Sequence, residues 1–477
     1  MKILFAALMK IGSDVFNWVR KLLSRTFDFL AGLIIVALRI IVMTMAYLSV
    51  VLAALWVMVK CLLYWLPPVS RGIWKFLMSY LALVFTLSAF IPEKIETWVS
   101  YAKSLRLGEE YPQPSQFQHT GRIARNLLNM LKADYVAGDT RRDAHPKHHG
   151  LVKARLKVVV ADIPKDLRQG LFSKDSKDGQ YDAWVRFSNS SPSIKPDGKP
   201  DVRGMAIKIC HPPGERLEHD GISRNEQDFL LVSHDVFPVN NIGQYEYLTF
   251  SVTRGGIFKL IYFAYCLIAP WRWYVIRNLL LSVKRHRILT EITWNSITAY
   301  RFGVRNHKLA VKFIVKFESF KLESAQVELK SASPTVEKDR SRDFLRHGLR
   351  KQLKQGDVIL GFYVQRQVHP YKMPVERAAV SWSKKLSEPV KVGTLTIPKQ
   401  RFDTSEMMWL CEHISFSPWN CLKAHRPLGS LNRARRDVYR SISSFRHGRN
   451  EIPIDGPSCT DLEAAWQRAQ ANDLVVP

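Results

Sequence analysis

"RRDAHPKHHG", residues 141–150, runs directly into "LVKARLKVVV", residues 151–160. The second stretch alternates apolar and charged side chains, the period of a half-buried β-strand. The first places three histidines and three cations just ahead of it. Taken alone, the pair admits a metal site, an anion-binding loop, a solvated turn, or one reactive histidine with bystanders. His145, His148 and His149 do not have zinc-finger spacing, and no HExxH pattern adjoins them. Cys411, His413, Cys421 and His425 form a second loose set without a recognised ligand spacing, so they read as core or surface residues.

Outward from that stretch, strand-like runs recur: "YDAWVRFS", "RGMAIKIC", "QDFLLVS", "KLAVKFIVKF", "DVILGFYVQRQV" and "VGTLTI". Turn residues such as "KPDGKPD" separate them. Strands dominate the middle and helices the ends, which predicts an α+β chain built on an antiparallel barrel or sandwich with flanking helices. The segment 256–283, "GIFKLIYFAYCLIAPWRWYVIRNLLLSV", interrupts this pattern. It reads equally as a core helix kinked at its proline and as a helix lying on a membrane surface.

The first 110 residues have a different character. Residues 27–66 carry only Asp28, Arg39 and Lys60 as charges, and residues 73–92 supply a second apolar run. A span needs roughly 20 apolar residues, so about two transmembrane helices are expected. Lys2, Lys10, Arg20, Lys21 and Arg25 place the N-terminus in the cytoplasm, and with two spans the remainder follows it there. The chain therefore divides into a membrane-anchoring region, 1–110, and a second domain, 111–477. The formal net charge of +28 suits an anionic partner. No basic motif interleaved with aromatics accompanies it, so nucleic acid is not the expected one. Six scattered cysteines without a CxxC pair read as mostly reduced thiols in a reducing compartment.

Near the C-terminus, "RPLGSLNRARRDVYRSISSFRHGRN", residues 426–450, reads as a helix. Arg435 and Tyr439 are spaced i, i+4 and share a face. A guanidinium held beside a phenol favours the phenolate, and phenolate is a ligand for ferric iron.

Together these motifs resemble the haem catalase superfamily, and most closely its short, catalase-related peroxidase branch. "RDAHPKHHG" is similar to the family's R-x-x-H-x-K-x-x-G segment, "VRFSNS" to its VRFS strand, and "DVRGMAIKI" to its D-x-R-G-[FM]-A-x-K strand. "NEQDFLLVSHDVFP" resembles the strand that brings a distal asparagine and haem-packing phenylalanines. "RARRDVY" matches the R-x-x-x-Y of the proximal helix. The match covers roughly residues 115–450, in order. It implies a catalase-like antiparallel barrel with a haem b pocket.

The resemblance implies roles residue by residue. His145 would be the distal acid/base, Ser188 its hydrogen-bond partner and Asn225 the distal amide. Arg142, Arg186 and Arg446 would meet haem propionates, Phe187 and Phe237 would pack on the ring, and Tyr439, backed by Arg435, would ligate iron. The implied activity is decomposition of hydrogen peroxide or of organic and lipid hydroperoxides by a membrane-anchored protein in contact with lipid, with homo-oligomerisation open. A hydroperoxide isomerase of the allene-oxide-synthase kind would share the fold, and a haem-free membrane scaffold would be a different class.

Overall fold

The computed structural model describes residues 106–112, 115–173, 180–217, 225–268, 272–304, 309–322, 328–329 and 341–471. The expected spans at 27–66 and 73–92 lie outside the described residues. Among those described, no helix is long and apolar enough to cross a membrane. The chain divides into two units: of the described residues, those between 263 and 276 fall to the first, and those of 106–262 and from 277 on to the second.

The second unit is built on an antiparallel sheet of ten strands: β1 (His148–Lys157), β2 (Tyr181–Asn189), β3 (Arg203–Cys210), β4 (Glu226–Val232), β5 (Trp294–Asn295), β6 (Tyr300–Phe302), β7 (Leu309–Leu322), β8 (Glu328–Leu329), β9 (Gly356–Arg366) and β10 (Val390–Ile397). The order β5-β4-β3-β2-β1-β10-β9-β7 closes on itself through the β5–β7 pairing, giving an eight-strand barrel, while β6 and β8 add to β7 outside the ring. Closure removes the exposed edges that an open sheet would carry. The barrel interior is one apolar cluster, with Val185 and Phe187 of β2, Met205 and Ile207 of β3, Phe229 and Leu231 of β4 and Phe313 and Val315 of β7 among its members.

Period-two alternation sends the neighbours of these residues outward. The outer faces of β2, β3 and β4 therefore carry Arg186 and Ser188, Gly204 and Ala206, and Leu230 and Val232. The helices among the described residues are α1 (Gln116–Asp134), α2 (Ile242–Arg254), α3 (Gly256–Ile268), α4 (Trp273–Ser282), α5 (Phe344–Gln355), α6 (Ser405–His413), α7 (Ser430–Arg449) and α8 (Cys459–Ala471). Ile123, Leu127, Met130 and Leu131 of α1 pack with Ile242 of α2 and with Ala434, Val438 and Ile442 of α7. Asn241 caps α2, its side chain accepting from the Gln244 N–H at 3.1 Å. The segment expected to interrupt the barrel forms α3 and α4, and Ile257, Leu260 and Ile261 of α3 and Leu280 of α4 stand exposed.

One expectation about the cysteines is corrected. Cys210 at the end of β3 is disulfide-bonded to Cys459 at the start of α8. Cys411 and Cys421 are free and buried. The bonded pair is 249 residues apart in sequence, and pairing over such a distance has no spacing signature.

Candidate functional site

A cavity of about 370 Å³ lies between strands β2–β4 of the barrel and α7. Arg186, Ser188, Gly204, Met205, Ala206, Leu230, Leu231 and Val232 line it from the barrel, and Leu431, Ala434, Arg435, Val438, Tyr439 and Ile442 from the helix. His145 enters from the loop that leads into β1. Pockets of about 300–1,000 Å³ with mostly apolar walls and a few converging polar groups are the usual form of a small-molecule or cofactor site.

His145 is held from several sides. Its φ is 63°, a left-handed conformation uncommon for a residue with a Cβ. The Arg186 Nη2 donates to its carbonyl at 3.0 Å, and its own N–H donates to the Ser190 carbonyl at 3.4 Å. Its Nδ1 is 2.9 Å from Ser188 Oγ. The ring rests on Gly204, where a Cβ would fall 2.5 Å from both Cε1 and Nδ1. Burial, with Arg186, Arg142 and Arg435 nearby, depresses the His145 pKa to about 3, so the imidazole is neutral at neutral pH.

One end of the cavity is strongly cationic. Arg186 Nε donates to the Cys411 carbonyl at 2.8 Å. Arg142 Nη2 and Arg446 Nη1 both donate to the Glu412 carbonyl, at 3.0 and 2.8 Å. Backbone carbonyls of α6 and its end thus aim three guanidinium groups at one place. The counter-charge is thin: the Glu412 carboxylate is 3.6 Å from Arg446 and 4.0 Å from Arg186, and its Oε1 is buried without a hydrogen bond. Burial pushes the Asp143 carboxyl pKa up, toward the neutral form. Burial, together with Arg186 and Arg446, pushes the Arg142 pKa well down, and Arg142 Nε also lacks a partner. This surplus of positive charge suits a dianionic ligand end.

On the opposite wall, Arg435 Nη2 donates to the Tyr439 hydroxyl oxygen at 3.0 Å, and Arg435 Nη1 donates to Asn432 Oδ1 at 3.0 Å. Asn432 is itself fixed by donating to the Ala299 and Leu428 carbonyls. Burial pulls the Arg435 pKa down, but the phenols of Tyr439, Tyr300 and Tyr245 around it raise it on balance.

The structure brings His145, Ser188, Arg142, Arg186, Phe237, Arg435, Tyr439 and Arg446 to this one cavity. It does not bring Asn225 there. Asn225 is exposed just before β4, and its side-chain oxygen accepts from Arg216 Nη2. Phe187 is also elsewhere, packed 5.7 Å from Trp294 inside the barrel. Strand parity is the reason: a side chain between two outward residues faces inward. His148 and His149 stay off the cavity, His149 being buried with its Nε2 2.7 Å from Asn189 Oδ1. Gly204, Glu412 and His234 are the contributors that sequence reasoning did not single out. Only Gly204 had a signal, as the glycine of "DVRGMA".

No protein-family model matches the chain, and no curated protein matches it. Solved structures do. The chain is similar to a fungal catalase with a TM-score of 0.50 and 15% identity over 69% of this chain, and it spans 64% of that catalase's length. A bacterial catalase aligns with a TM-score of 0.45 at 15% identity over 69% of this chain and 61% of its own. The fold is catalase-like.

Proposed function

We propose that this protein is a haem-dependent oxidoreductase that decomposes hydrogen peroxide or organic hydroperoxides. The observation that carries this reading is a cavity with a neutral imidazole on one wall, an arginine-held tyrosine on the other, and three guanidinium groups at one end. The residues fit a haem b. Tyr439 would be the iron ligand, Arg142, Arg186 and Arg446 would hold the two propionates, and Phe237 and the apolar lining would pack on the ring. Bound there, haem supplies an iron centre that exchanges electrons with peroxide.

His145, neutral and oriented by Ser188, takes a proton from one peroxide oxygen and returns it to the other. Gly204 lets the ring sit against the barrel wall at the required depth. Arg435 holds the tyrosine oxygen in place. Leu127, Val438 and Ile442 exclude water around it.

The reading places the enzyme at a membrane. Two apolar runs in residues 1–105 and the exposed Ile257, Leu260, Ile261 and Leu280 support a lipid setting, where lipid hydroperoxides would be met. The Cys210–Cys459 bond favours an oxidising compartment for this domain rather than a reducing one. Product analysis with a lipid hydroperoxide separates reduction from rearrangement on the same fold.

The test is the absorption spectrum of protein purified with haem supplied. A Soret band that is lost or shifted in Tyr439→Phe supports the assignment. A band identical in both proteins, or no band in either, refutes it.

A further inference from the structure

We infer that His234 is a second substrate-facing imidazole, which holds one oxygen of the peroxide while His145 moves the proton. This deepens the peroxide reading and rests on it.

The starting point is a missing group. With Asn225 outside the cavity, none of the described residues that line it is an asparagine or glutamine. His145 moves a proton between two oxygens, and a second polar group of the lining would hold the oxygen that receives it. His234 lines the cavity.

The ladder places the two imidazoles together. Gly204, on which the His145 ring rests, is paired with Val232 across the β3–β4 ladder. The pairing continues one residue further, since the Ser233 N–H donates to the Arg203 carbonyl at 2.9 Å. Leu230, Leu231 and Val232 at the end of the strand and His234 just past it all line the cavity. His234 follows that last pairing directly, so its imidazole and the His145 ring on Gly204 border one cavity.

The ring is also waiting for a partner. His234 Nε2 is buried and makes no hydrogen bond. On the other side, Nδ1 is 3.8 Å from Asp235 Oδ1, too far for a hydrogen bond. Burial depresses the His234 pKa; Asp235 opposes this and Lys284 and Arg277 add to it. The group is a neutral imidazole, and with its hydrogen on Nε2 it donates to a peroxide oxygen and keeps its proton. A buried donor without an acceptor is unfavourable, and a bound peroxide or other small ligand would satisfy it.

The experiment compares haem-loaded wild type with His234→Ala, His234→Asn and His234→Phe. Cyanide affinity is read from the Soret shift, and the rate of reaction with hydrogen peroxide is measured beside it. His234→Ala should weaken cyanide binding about 10-fold and slow the peroxide reaction roughly 10²-fold. His234→Asn, which restores a donor, should recover both to within a few-fold. His234→Phe fills the space without a donor, so it should behave like His234→Ala and guards against a cavity effect. Unchanged cyanide affinity in His234→Ala, with the Soret band intact, overturns this inference alone. Equal damage in the Asn and Ala variants overturns it too, because it marks a structural role. A protein with no Soret band overturns the peroxide reading, and this inference with it.

Discussion

Gly204→Ala is the sharpest test of how the cavity is built. The new Cβ would lie 2.5 Å from Cε1 and Nδ1 of His145 and 2.9 Å from Ser188 Oγ. Ordinary contact begins at 3.4 Å, so the imidazole has to retreat by about 0.9 Å, the difference between those two distances. The strand cannot give way instead, because β3 is paired on both sides, with β2 and with β4. The 2.9 Å contact between His145 Nδ1 and Ser188 Oγ is then stretched beyond hydrogen-bond range. Overpacking costs about 1–3 kcal/mol, and the lost hydrogen bond about 1 kcal/mol more. A reacting group displaced by about 1 Å loses on the order of 10² in rate. Melting of the four proteins in a double-mutant cycle with His145→Ala checks the physical cause. With the ring removed, the nearest remaining of these contacts is the Ser188 hydroxyl, which can rotate, and Gly204→Ala should cost less than about 0.5 kcal/mol. If Gly204→Ala lowers the melting temperature equally in both backgrounds, the ring is not what Gly204 accommodates and the placement of His145 is wrong.

Two further outcomes follow from the same structure. The Cys210–Cys459 bond closes a loop of 249 residues, for which the chain-entropy model gives about 5 kcal/mol. Cys459→Ser, or reductant with the wild type, should therefore lower the melting temperature and expose the segment before α8 to protease. A melt indifferent to reductant would show that the bond does not form. His149 and His425 are fully buried, and burial depresses their pKa values to about 4 and about 3. Because the unfolded chain takes up protons at the ordinary histidine pKa of about 6.5 and the folded one does not, this contribution to stability is whole above that pH. It is lost as pH falls toward the folded values, by up to about 1.4 kcal/mol per pH unit for each group. Melting temperatures measured from pH 7.5 to 4.5 should fall, and His425→Gln should flatten the slope. An unchanged slope in that variant would count against the buried neutral ring.

How much of this was visible in the sequence depends on the length of the signal. β3 runs from Arg203 to Cys210, the very bounds of "RGMAIKIC", and the longer strands lie within a few residues of their alternating runs. Trp294–Asn295, which closes the ring, is two residues long and has no period to read. The assignments that failed at the site were failures of register. Phe187 is expected on the cofactor beside Arg186 and Ser188, but its side chain turns into the barrel against Trp294. Val232 and His234 line the cavity, whereas Asn225 precedes the start of the strand. Glu412 had no pattern at all, because its position depends on how α6 meets the barrel. From β2 and β3 the cavity takes Arg186, Ser188, Gly204 and Ala206, the polar or small half of the alternation, which sequence reading treats as solvent-facing. A barrel strand whose outward positions read Arg-x-Ser or Gly-x-Ala, as β2 and β3 do, is better taken as lining a covered site than as facing water.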